Sequence, residues 1–128
     1  MKFFYLALGG SIGAILRYLV SLYSVKYIVW DLPVGTLIVN LLGSFLIGLA
    51  FVLLGREQIS FNPKVFLFIG LFGSFTTFST FMFETNDLLK SGMIKSAFLY
   101  ITLSNVLGLL LVYAGFVVGE LFEKQVKL

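Results

Sequence analysis

The chain has 128 residues, enough for one domain, and 59% of them are hydrophobic while only 12% are charged, giving a mean hydropathy of +1.05. A soluble core of this size cannot hide so much apolar surface, so the solvent around the chain is lipid. The lack of cysteine and histidine excludes disulfides, thiolate chemistry and imidazole metal or acid–base sites, and the net charge of +3 sits at the ends of apolar runs, where it suits lipid headgroups rather than nucleic acid.

A membrane-spanning helix needs about 20 mostly apolar residues. Residues 3–25 supply 23, interrupted only by Arg17. Lys2 before an apolar run resembles the start of a signal peptide, but the run continues past Arg17 without a small-residue cleavage site, so it reads as a retained span. Residues 32–55 give 24 without a charge. Residues 65–83 give 19, and polar helix extends them toward Leu89. Residues 96–119 give another 24. The prediction is an all-α, multi-pass protein of the plasma membrane, a single domain over residues 1–128 with spans near 3–25, 33–55, 64–89 and 95–120. Short loops join them at 26–32, 56–64 and 90–95, and Pro33 and Pro63 fall at the starts of the second and third spans. No sequence repeat is visible.

Four passes put both termini on one side, with Lys2, Arg56, Lys64, Lys124 and Lys127. The other side holds Lys26, Lys90 and Lys95, and Arg17 leans toward it. Charge alone favours termini inside, but the bias is weak, and a chain that inserts both ways has the same pattern. Small residues four apart (Gly9 and Gly13, Ser44 and Gly48, Ser104 and Gly108, Gly115 and Gly119) predict close helix packing, within a protomer or between protomers.

The polar residues within the spans carry the functional information. Thr36, Asn40 and Ser44 line one face of the second span, and Tyr100, Ser104 and Gly108 one face of the fourth; Thr102 and Asn105 point elsewhere. Each line is either interhelical hydrogen-bonding glue or a polar lane for a solute. The third span reads GLFGSFTTFSTFMFE over residues 70–84. Its glycines weaken a helix, and its hydroxyls compete for the backbone, which predicts a helix break around residues 73–77. Carbonyls freed there, if buried, are good ligands for Na⁺; the alternative is a continuous helix with hydroxyls bonded to the preceding turn. Beyond the break, Phe78, Phe81 and Glu84 or Thr85 share a face. Ring edges carry positive potential and attract a small anion, while donors from Asn40, Thr77, Ser79, Thr80 and Ser104 replace its water. Glu84 is either a functional intramembrane acid or an interfacial one, and Arg17 either snorkels, pairs with an acid or sets a positive field at a vestibule.

Residues 9–18 (GGSIGAILRY), 35–45 (GTLIVNLLGSF) and 70–81 (GLFGSFTTFSTF), with Glu84 and Tyr100 to Ser104, make the chain resemble the Fluc/CrcB family of fluoride channels over nearly its whole length. The resemblance implies passive F⁻ efflux that limits fluoride toxicity, through an antiparallel, dual-topology homodimer with two pores. It also implies a structural, untransported Na⁺ on the carbonyls of Gly73 and Thr76. By position, Phe78 and Phe81 match the pore phenylalanines, Asn40 the pore asparagine, Glu84 the pore-proximal glutamate, and Tyr100 and Ser104 the fourth-helix polar line. Gly108 stands where some members have a second serine. No catalytic constellation is present, so an enzyme is not expected. Two rivals are a four-pass, dual-topology, proton-coupled multidrug exporter and a non-transporting scaffold. The first needs an acid in the first span, where this chain has Arg17; the second has no use for a buried Asn40, a Ser/Thr cluster and Glu84.

Overall fold

The computed structural model describes residues 1–55 and 61–126, and all regular structure among them is helical. Arg56 and Lys127, two of the charges counted above, and residues 56–60 of the second loop lie outside the described residues. Four stretches are long and apolar enough to cross a membrane: Lys2–Tyr27, Val34–Leu54, Phe61–Lys90 and Ile94–Val126.

Helix α1 (Lys2–Tyr27) runs 26 residues, about 39 Å at 1.5 Å per residue. It ends where Ile28 turns extended, with φ −115° and ψ 110°. Tyr23 and Tyr27 stack at that end, their centroids 6.4 Å apart, as aromatic side chains do at a lipid–water boundary. Pro33 caps helix α2 (Val34–Ala50) from just outside it, and α2 continues into a π-helical turn, Phe51–Gly55.

The third span is assembled from unlike pieces. Helix α3 (Phe61–Lys64) holds Pro63 in its first turn, where a missing N–H costs nothing. A π-helical stretch, Val65–Phe72, follows, then a short helix α4 (Gly73–Phe75). Helix α5 (Phe78–Lys90) completes the span. The chain reverses through Ser91, Gly92 and Met93. Gly92 takes φ 76°, a left-handed conformation that costs other residues. Its N–H donates to the Leu89 carbonyl at 3.1 Å and the Met93 N–H to the Leu88 carbonyl at 2.9 Å, the paired bonds of a Schellman cap. Helix α6 (Ile94–Val126) then runs 33 residues.

The closest packing within the chain follows the small residues. The most extensive contacts are α2 against α6 and α1 against the Val65–Phe72 stretch. A Cβ at Gly9 would run into the carbonyl oxygen of Phe66, and one at Gly13 into that of Leu71. Across the other seam, a Cβ at Gly48 would strike the carbonyl oxygen of Val112, and one at Gly115 that of Phe45. Backbone therefore lies on backbone at both seams, the arrangement by which helices attract one another where lipid removes the hydrophobic drive. Leu32, Leu37, Phe81, Leu88, Ala97 and Tyr100 form the buried cluster where α2, α5 and α6 meet. Leu109, Tyr113 and Phe83 are among the large side chains left exposed, as lipid contact allows.

Candidate functional site

The polar residues converge where the third span leaves helical geometry. Thr76 has φ −80° and ψ 157°, and Thr77 has φ −148° and ψ 116°, so two residues in succession are extended. The interruption is narrower than the sequence predicts, because residues 73–75 remain helical. The Thr76 N–H still donates to the Phe72 carbonyl at 3.1 Å, which keeps the preceding turn closed. Only the next amide departs. The Thr77 N–H donates to Oδ1 of Asn40 at 2.8 Å, and Nδ2 of Asn40 donates to the Thr77 carbonyl at 3.0 Å. The amide that a continuous helix would give to the Gly73 carbonyl is thereby taken by α2. The Thr80 N–H, which would serve the Thr76 carbonyl, instead points to Oγ1 of Thr77 at 3.4 Å, capping α5. Gly43 gives the interruption its room: a Cβ there would collide with the Thr76 methyl and lie 3.2 Å from the Phe75 ring.

A second cluster sits on α5. Glu84 accepts two hydrogen bonds, one on each carboxylate oxygen: Thr36 donates to Oε1 and the Tyr100 hydroxyl donates to Oε2, both at 2.8 Å. These donors come from α2 and α6, so one acid ties three spans together. Bonds from hydroxyls spread the carboxylate charge and lower its desolvation cost. The Tyr100 side chain is fully buried, at 0% exposure. Its ring meets Phe81 edge to face, centroids 5.0 Å apart at 71°. Phe81 is 5% exposed, whereas Phe78, 6.0 Å from it, is 73% exposed. Ser79 and Thr80 are exposed as well.

Between α2 and the interruption lies a cleft of about 280 Å³, lined by Asn40, Gly43, Ser44, Phe72, Thr76, Thr77 and Phe78 among others. Ser44 donates to the Asn40 carbonyl at 2.7 Å, so its hydroxyl is engaged along its own helix. Ser104 is the contrary case. Its Oγ is buried and has no hydrogen-bond partner among the described residues, a costly state that invites a ligand or water. Gly108 is buried beside it on α6 and places no polar atom there. Arg17 is half-buried on α1, with no hydrogen bond or ion pair to any described residue. Asn40 with Thr77, and Phe81 with Glu84 and Tyr100, are thus brought together. The structure adds Thr36 to the second group. Its position four residues before Asn40 marked it as part of a polar face, but nothing local in the sequence pairs it with an acid 48 residues away.

Comparison with known proteins gives a consistent result. The family described as CrcB-like protein, Camphor Resistance (CrcB), matches residues 4–116. A protein of Parabacteroides distasonis is 41% identical over 127 residues, 99% of each chain. One from Flavobacterium psychrophilum is 44% identical over 91% of this chain and 95% of its own. One from Shewanella frigidimarina is 49% identical over 85% of this chain and 88% of its own. All three carry the name fluoride-specific ion channel FluC.

Proposed function

This chain belongs to the CrcB-like family, and on that premise we propose that it is a fluoride-specific ion channel that lets F⁻ leave the cytoplasm down its gradient. The observation that carries the proposal is similarity to channels of that name over 85–99% of the chain. The protein is a multi-pass membrane transporter and not an enzyme. An unpaired ion moved into a low-dielectric interior costs tens of kcal/mol. The work of the channel is to lower that cost by replacing water with oriented donors and positive ring edges.

The proposed pathway uses Asn40, Thr77, Ser79, Thr80 and Ser104 as donors and Phe78 and Phe81 as ring edges, with Tyr100 and Glu84 beside them, the Tyr100 hydroxyl being spent on Glu84. The hydroxyl of Ser104, buried without a hydrogen-bond partner among the described residues, supports this reading, since an anion is a partner it could donate to. Glu84 would repel an anion if bare; the hydroxyls of Thr36 and Tyr100 on its two oxygens screen it. Arg17, half-buried without an acidic partner among the described residues, supplies the positive field at the vestibule.

A structural, untransported Na⁺ is the proposed cofactor, held by the carbonyls of Gly73 and Thr76. The donor set fits: both oxygens have lost the amide that a continuous helix would direct at them, and neutral carbonyls suit a hard monovalent cation. Bound there, the ion supplies a fixed positive charge within the span. Two carbonyls per chain are too few for a cation, which argues for a two-fold partner that doubles them. Exposure of Phe78, Ser79 and Thr80 on the isolated chain argues the same way, because a pathway open to lipid cannot hold a hydrated ion. With a near-even charge distribution, the proposed partner is an inverted copy, giving a dual-topology homodimer. The multidrug-exporter alternative lacks its acid, since α1 holds none.

The test is release from KF-loaded liposomes containing the purified protein and a K⁺ ionophore. Rapid F⁻ release without Cl⁻ release is expected. No F⁻ release from correctly inserted protein would overturn the proposal.

A further inference from the structure

We propose that Asn40 is a positioning residue for the cation site: its side-chain amide holds Thr77 in an extended conformation and so keeps the Gly73 carbonyl available to an ion. The inference rests on the sodium site described above and goes beyond it, because Asn40 touches the site only through Thr77.

The geometry is that of a β-ladder rung made by a side chain. In an antiparallel pair, one residue receives and returns both backbone hydrogen bonds to its neighbour. Thr77, extended at φ −148° and ψ 116°, has no neighbouring strand. Asn40 takes the place of one: Oδ1 accepts the Thr77 N–H at 2.8 Å and Nδ2 donates to the Thr77 carbonyl at 3.0 Å. An asparagine is the shortest side chain that offers an acceptor and a donor side by side. Its own carbonyl accepts from Ser44 at 2.7 Å, one turn along α2. Gly43 lets the interrupted backbone approach, as its missing Cβ leaves room for Thr76.

Without the clamp, Thr77 has an N–H and a carbonyl unpaired away from water. The nearest remedy is for Thr77 to become helical and return its amide to the Gly73 carbonyl, four residues back. The remedy consumes a proposed cation ligand. Asn40 therefore sets the choice between a continuous helix and a carbonyl site. Only one of its two Nδ2 hydrogens is used on Thr77, so the other remains for the cleft it lines, and the positioning role is separable from any role in the pathway.

The readout is the Na⁺ dependence of thermal unfolding of the purified, assembled protein, titrated against a large organic cation, beside F⁻ release from liposomes. The wild-type midpoint is expected to rise with Na⁺. In Asn40→Ala, and in Asn40→Ser, whose hydroxyl is too short to reach Thr77, half-maximal stabilisation is expected at roughly tenfold higher Na⁺ or more, equivalent to about 1.4 kcal/mol. Asn40→Asp keeps the acceptor for the Thr77 amide, the bond that frees the Gly73 carbonyl, but loses the donor to the Thr77 carbonyl, and is expected to fall between wild type and Ala in Na⁺ response. Ser44→Ala removes a neighbouring bond without touching the clamp and is expected to leave the response unchanged. If Asn40→Ala does not assemble, the Ser and Asp variants decide the matter. A wild-type Na⁺ midpoint in the Ala or Ser variant overturns the inference, as does an Asp variant as insensitive as Ala. A wild type that releases F⁻ but ignores Na⁺ overturns the cation site and this inference together, leaving the channel standing.

Discussion

Replacing Gly115 with alanine tests the packing that shapes the protomer. A Cβ at this position would run into the carbonyl oxygen of Phe45, stand 2.8 Å from the Leu49 nitrogen and lie 3.2 Å from the Gly48 carbonyl carbon. All three obstacles are backbone, so no rotamer change relieves them, and α6 must move off α2. Overpacking of this kind costs typically 1–3 kcal/mol. Alanine returns about 1 kcal/mol as the better helix former. Because rigid helix meets rigid helix, the upper part of the range applies, and the net loss is about 2 kcal/mol, or roughly 30-fold in the unfolding equilibrium. Gly108 on the same helix provides the control. Its nearest neighbour would be the Ser44 hydroxyl at 3.7 Å, ordinary contact, so alanine there is expected to be neutral or stabilising by up to about 1 kcal/mol. Denaturant titration or steric trapping in detergent measures both. If Gly115→Ala proves as stable as Gly108→Ala, the backbones of α2 and α6 are not in contact and the packing described above is wrong.

Other expectations concern the site and its supports. Phe81→Ile keeps the volume near the buried cluster but removes the ring edge; F⁻ release should slow roughly tenfold or more while the protein stays assembled, and near-normal flux would remove the ring-edge argument. Tyr100→Phe deletes one of the two hydrogen bonds to Glu84 and spares the aromatic contact with Phe81; a stability loss of about 1–3 kcal/mol is expected, and Glu84→Gln in the same background should recover part of it. Exchanging Na⁺ for a large organic cation should disable F⁻ release slowly, and indifference would count against the carbonyl site. Gly92→Ala forces a Cβ into the left-handed conformation at the hairpin and should cost roughly 1–2 kcal/mol in unfolding without altering ion selectivity.

The four spans were legible because lipid demands long apolar runs, and no soluble fold produces four of them in a chain this short. The glycines and hydroxyls of the third span pointed to residues 73–77, but not to which of them are extended. Gly73, the residue with the poorest helix propensity in that stretch, is helical, whereas the two threonines after it are extended. The Thr77 amide bonds to Asn40, 37 residues earlier, and local propensity cannot see so distant a partner. The π-helical winding of Val65–Phe72 left no mark either, because a run that is apolar on every side has no face whose period could be read. The small-residue pairs announced close packing but not its address. Only the positions of Phe66, Leu71, Val112 and Phe45 assign the pairs Gly9/Gly13 and Gly115/Gly119, with Gly48, to seams inside one chain.

Those inward-facing seams bear on how the proposed pair would come about. A chain whose glycines are spent on its own helices can complete its interior alone, in whichever direction it entered the bilayer. Assembly of the proposed pair then becomes an encounter, in the plane of the membrane, between two finished populations of opposite orientation. Its yield is capped by the scarcer population and is greatest when the two are equally abundant. Under that proposal, moving a single lysine from one loop to another would leave each chain's fold intact and still starve the membrane of pairs.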